Sequence, residues 1–271
     1  MDALRSAAAR LRVHLGIARQ FARAGIVRKS QFRTEFFSQV VMDCIWYSIH
    51  ILVFEFLFQH TESIAGWTLP EVRVFLGYLF VADAFMMTWL GQGWRFGRDL
   101  KDGLLDPIRV RPASPIFLYF FQQFSLEGAV NLSIAFGYLG YGLLQSGLEL
   151  APGTAVLALW GVAIAWWGRA LLTILFSISE FYLLHSDLAQ FLSELFIQPA
   201  DRPLDIFGRR LKQFLLFLIP VGALSYLPAC LVLGRIGPAA GLFHSAWLFG
   251  LGLLVFRFWR HSFRRYESAM S

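Results

Sequence analysis

VRVFLGYLFVADAFMMTWL, residues 72–90, runs almost directly into QGWRFGRDLKDGLLDPIRVRPAS, residues 92–114. In the first stretch Arg73 and Asp83 are the only charges, and its length suits a helix crossing a hydrocarbon core of about 30 Å. The second stretch is a basic island bounded by Gly and Pro, with Arg95, Arg98, Lys101, Arg109 and Arg111. An apolar helix that ends in a basic loop reads as a membrane span whose loop faces the cytoplasm, because short cytoplasmic loops collect Lys and Arg. The island is also short and amphipathic, the pattern of a surface element that docks onto another protein.

The rest of the chain agrees. Its 271 residues are 57% apolar and 15% charged, where a soluble domain carries roughly 25% charged residues. The apolar residues come in long runs and do not alternate, which argues for helices and against a β-barrel. The fold expected is therefore an all-α integral membrane protein in one domain. The formal charge of +6 does not imply nucleic-acid binding, since the basic residues flank apolar segments. Cys44 and Cys230 lie inside apolar runs, so no disulfide framework or metal-ligand spacing is present. No cleavable leader is expected at the N-terminus.

Six transmembrane helices are expected, an even number because both ends carry basic residues and read as cytoplasmic. Residues 1–34 hold Arg5, Arg10, Arg12, Arg19, Arg23, Arg28, Lys29 and Arg33, with Leu4, Leu11 and Leu15 on one helical face. This predicts an amphipathic helix lying in the cytoplasmic interface, ahead of a transmembrane domain over 35–271. The spans are placed at 36–58, 72–90, 116–144, 154–176 and 239–259. The remaining crossing has two solutions. Either it is roughly 180–198, with the Pro-broken stretch 199–235 dipping into the outer leaflet, or it is 213–233. Arg209, Arg210 and Lys212 favour the second by the charge rule. Pro220 and Pro228 favour the first, because broken helices at membrane depth must be buried in protein.

Catalytic motifs are missing. A phosphate-cradling loop ends in Gly-Lys-Ser or Gly-Lys-Thr; the three lysines are Lys29, Lys101 and Lys212, and only Lys29 precedes a Ser, behind Arg28. The chain by itself is thus not an ATPase of the P-loop type. The histidines are scattered, and His185 with Asp187 reads as a solvated pair at a helix end. Asp43, Glu55, Asp83, Glu127 and Arg169 fall inside apolar spans, where charges are costly. They either pair with one another or with a partner subunit, the favoured reading, or line a polar path.

Three stretches resemble a known family. GWTLPEV at 66–72 is similar to its Gly-Trp-Ser/Thr-x-x-Glu lead into the second span. GLLDPIRVRPASP at 103–115 is similar to its Gly-x-Leu-Asp-x-x-Leu-x-Arg-Pro-x-Ser-Pro signature, with Pro107 as a departure. PLDIF at 203–207, FLIP at 217–220 and YLPA at 226–229 resemble its Pro-rich run, with Arg202 and Gly208 in place of the usual Tyr and Pro. The chain resembles the membrane subunit of a type-2 ABC exporter, an ABC-2 permease of the six-helix bacterial kind. The resemblance implies a permease that provides the translocation pathway and binds no cofactor. ATP and Mg would sit on two ATP-binding cassette subunits, and a second, different permease would complete a heterodimer in the bacterial inner membrane. It makes 92–114 a coupling loop, with Leu100, Leu104 and Leu105 as an apolar anchor and Arg95, Arg98, Lys101, Arg109 and Arg111 around it. It also puts 199–235 on the extracellular side. A proton-coupled secondary transporter using Asp43, Asp83 or Glu127, and a non-transporting membrane scaffold, are the rival readings.

Overall fold

The computed structural model describes residues 33–111, 114–149, 151–183 and 188–266. The expected interfacial helix at 1–34 and the His185–Asp187 pair therefore lie outside the described residues. Helices α1 (Arg33–Phe58) and α2 (Leu69–Phe85) form a hairpin. Thr68 and Glu71 open α2: the Glu71 carboxylate accepts from the Thr68 backbone N–H at 2.8 Å. Pro70 sits in the first turn, where its missing N–H costs nothing. Below Phe85 the helix loosens into a π-helical turn (Met86–Leu90) and a 3-10 turn (Gly91–Arg95), then tightens as α3 (Phe96–Lys101). Two short helices follow, α4 (Asp106–Arg109) and α5 (Pro115–Phe120). Next come α6 (Leu126–Gln145), α7 (Pro152–Leu183) and α8 (Leu188–Ile197). Last are α9 (Arg209–Gln213), α10 (Tyr226–Val232) and α11 (Pro238–Arg265).

Among the described residues, four helices are long and apolar enough to span a bilayer: α1, the α2–α3 run of 33 residues, α7 and α11. The chain is a multi-pass membrane protein, all-helical among the described residues. The most apolar window of α2 is 78% buried, against 17% for α1 and α11. So α2 is the central stave, while α1 and α11 present most of their surface outward.

Two expected spans differ from the sequence reading. The continuous third span at 116–144 is instead α5 and α6, parted at 121–125. α6 keeps 20 residues, about 30 Å of helix. The break falls where Ser125 caps α6 by accepting from the Gly128 backbone N–H at 3.0 Å. The stretch 180–198 is not one straight helix either: α7 runs on to Leu183, and Phe196 of α8 stacks on Phe176 of α7 at 5.9 Å, where one helix would hold them about 30 Å apart.

Residues 205–235 form a broken hairpin that enters and leaves at one end of the bundle. Trp67, in the α1–α2 loop, donates to Asp205 at 2.7 Å. Arg235 bonds the Gly66 carbonyl and Glu71. Between these anchors the chain descends, so that Trp247 of α11 reaches the Phe217 carbonyl and Ala223 packs against Gly168, halfway along α7. α10 then climbs back. Residues 220–232 are all buried, the condition under which Pro220 and Pro228 are tolerated at this depth. The 92–114 loop lies at the opposite end, beside the C-terminus of α11, where Tyr266 donates to the Leu100 carbonyl at 3.2 Å. The charges Arg209, Arg210 and Lys212 thus sit at the end away from the basic loop, against the charge rule.

Candidate functional site

The basic loop has two faces. Phe96, Leu100, Leu105, Ile108, Tyr119 and Phe120 are buried in a cluster with Ile178 of α7 and Trp259 and Phe263 of α11. The Phe96 ring lies 5.0 Å from Trp259, 5.1 Å from Tyr119 and 5.2 Å from Phe181. Buried Asp99 accepts from the Tyr119 hydroxyl at 2.8 Å and from the Gln92 amide. Gly103, at φ 69°, makes the left-handed turn into α4, a conformation that glycine adopts without strain. The loop is therefore clamped to α7 and α11.

This corrects the expected apolar anchor. Leu100 and Leu105 point into the protein, 5% and 0% exposed, and cannot meet a partner. Leu104 is 56% exposed and Val110 86%, so these carry the outward apolar surface. Arg95, Arg98, Lys101 and Arg111 are exposed too, Arg95 at the first cavity described below, and Arg109 ends α4. Phe96, Asp99 and Tyr119 were not singled out from sequence. The spacing of Phe96 and Leu100, four residues apart on one helical face, was the available signal.

Two cavities, each of about 320 Å³, open inward from this loop. Gln39, Asp43, Gln92, Arg95, Ser125 and Glu127 line the first. The second is lined by Trp46, Asp83, Arg169, Glu194, Gln198 and Asp201. Met87 and Trp94 border both, so the π-helical turn separates them. Such turns concentrate at functional sites.

The charges in the spans are partnered. Arg169 on α7 pairs with Asp83 on α2 at 3.1 Å. Glu55 pairs with Arg73 at 2.7 Å. Asp43 accepts from Asn131 and from Gln39, and Glu127 accepts from the Ser125 hydroxyl at 2.9 Å. His50, which with Asp43 and Glu55 marks α1 as a span that faces protein, reaches Asp201 at 3.4 Å. At the far end burial pushes the Asp205 carboxyl up, but hydrogen bonds from Lys212, Trp67 and Tyr226 outweigh it and hold the group below its ordinary value.

The family model described as "ABC-2 family transporter protein" matches residues 44–270. This chain belongs to the ABC-2 transporter family. No curated protein and no solved structure matches it. ABC-2 family membership makes it a transmembrane permease of the ABC transporter kind, a membrane subunit that is not itself catalytic. That gives the basic loop and the cavities above it their context in this permease.

Proposed function

We propose that this permease forms the translocation pathway of an ATP-driven exporter and receives its mechanical input at the 92–114 loop. The observation that carries this is the two-faced loop. Its inner face is locked by Phe96, Asp99 and Tyr119 onto α7 and α11, while its outer face offers exposed Leu104 and Val110 with the exposed cations Arg98, Lys101 and Arg111. An element fixed to two long helices transmits displacement instead of absorbing it. The exposed cations would steer an acidic partner surface and the leucine would seat in it.

The partners are two ATP-binding cassette subunits carrying ATP and Mg, with a second permease subunit, different from this one, across the membrane. The loop end and both termini then face the cytoplasm of a bacterial cell, and residues 199–235 face outward. Closure of the ATPase pair would rock α7 and α11 and open the cavities alternately to the two sides. Asp43, Asp83, Glu127 and Arg169 line those cavities and would meet the polar part of the cargo. Glu55, paired with Arg73, holds α1 to α2.

Leu104→Asp places a carboxylate where an apolar contact must desolvate, and should weaken ATPase association by roughly a hundredfold or more. Membrane insertion should be unchanged. Affinity purification of the chain with its genomic neighbours reads this directly. Unaltered ATPase co-purification would remove the coupling role, and pH-driven flux by the chain alone would replace the exporter with a secondary transporter.

A further inference from the structure

We infer that the descending arm of the broken hairpin binds an anionic phospholipid at the far end of the bundle, through Arg209 and Arg210. At that end three cations belong to the fold. Arg73 pairs with Glu55, Lys212 with Asp205 and Arg235 with Glu71. Arg209 and Arg210, like Arg202 earlier in the same arm, are exposed and form no ion pair among the described residues. Two adjacent unpaired guanidinium groups on the non-cytoplasmic side run against the charge preference of membrane proteins and call for an external anion.

The surface below them says which anion. Leu211, Phe214 and Leu218 are all exposed, and their spacing of three and four residues puts them on one stripe. Arg210 stands one turn above Phe214 on that stripe. Leu215, by contrast, is buried, and Lys212 is turned inward to Asp205 and Tyr226. On α11, Leu242, Phe243 and Trp247 are exposed as well, and Phe217 stacks between the two elements, 6.4 Å from Phe243 and 6.0 Å from Trp247. An apolar strip continuous with a spanning helix faces acyl chains. Cations at its upper end then lie at headgroup depth, where a guanidinium binds phosphate with paired N–H donors. A soluble acidic protein would find no use for the strip, so a lipid fits both halves of the surface. The inference does not depend on the export reading, since a scaffold with this hairpin would bind the same lipid.

Native mass spectrometry of the detergent-purified full chain, with any co-purifying subunits, tests it by titration with phosphatidylglycerol and with phosphatidylcholine. The wild type should retain phosphatidylglycerol in preference. The double variant R209Q/R210Q should lose about 30-fold in that affinity, from the usual gain per cation at an anionic surface, with phosphatidylcholine unchanged. R264Q/R265Q, at the cytoplasmic end of α11, is the control for general charge. Equal retention of the two lipids, an unchanged affinity in R209Q/R210Q, or an equal loss in the control would each overturn the assignment. Both substituted sites are exposed, and matching thermal unfolding curves would verify that the fold survives.

Discussion

A charge inside the membrane is tolerable when another residue neutralises it. Arg169 is 4% exposed and Asp83 8%; either alone would be an uncompensated buried charge, which costs about 3–5 kcal/mol when its partner is removed. That the favoured sequence reading was mutual pairing follows from this cost. Which residue pairs with which was not legible, because Asp83 and Arg169 are on different helices and no local pattern links them. Trp67, Asp205, Lys212 and Tyr226 form a similar knot at the far end. Since the folded Asp205 carboxyl sits below its ordinary value of about 3.9, it favours folding above that pH. The contribution disappears as pH falls through the lowered folded value. Thermal unfolding in detergent between pH 6 and 2 should therefore fall more steeply for the wild type than for Asp205→Asn, which lacks the titrating group. Superimposable acid limbs would sever the link.

Helix contacts in a bilayer depend on close approach, since lipid tails are as apolar as leucine. α6 shows this against the π-helical turn and against the middle of α2. A Cβ on Gly128 would stand 2.6 Å from the Thr88 backbone nitrogen, and one on Gly77 would stand 2.7 Å from the Leu139 Cα. Backbone atoms cannot rotate away, so Gly128→Ala should cost roughly 1–3 kcal/mol of stability. Gly137→Ala, on the same helix but with open space around it, should cost far less. Equal unfolding temperatures for the two variants in detergent would show that the contact is not tight. The hydropathy of each apolar run was enough to find α1, α2, α7 and α11. It overextended the third span, and it left the remaining crossing with two solutions. Apolar content does not distinguish one long helix from two short ones; the break before α6 arises from the cap at Ser125, and burial of the 220–232 backbone by neighbouring helices lets the chain stay broken at that depth.

On the scale of the whole molecule, the loop at one end is wired to α11 and to α7, whose Arg169 lines one of the cavities. Phe96→Leu keeps the site apolar but removes its ring contacts with Trp259, Tyr119 and Phe181. In a reconstituted complex it should retain the ATPase subunits while the cargo moved per ATP falls severalfold. A coupling ratio equal to that of the wild type would mean that the clamp has no mechanical part.

The sequence by itself determined that the chain lives in a membrane, which loop is basic, that no P-loop is present and which family it resembles. These properties are written in runs, counts and motifs along the chain. Tertiary structure alone decided that Leu104 faces outward while Leu100 and Leu105 are buried, that the charges in the spans find partners, and that residues 205–235 return to the end they entered. Each of these depends on contacts between residues far apart in sequence. A buried charge or an open backbone chooses among such contacts by the cost of leaving a polar group unsatisfied away from water.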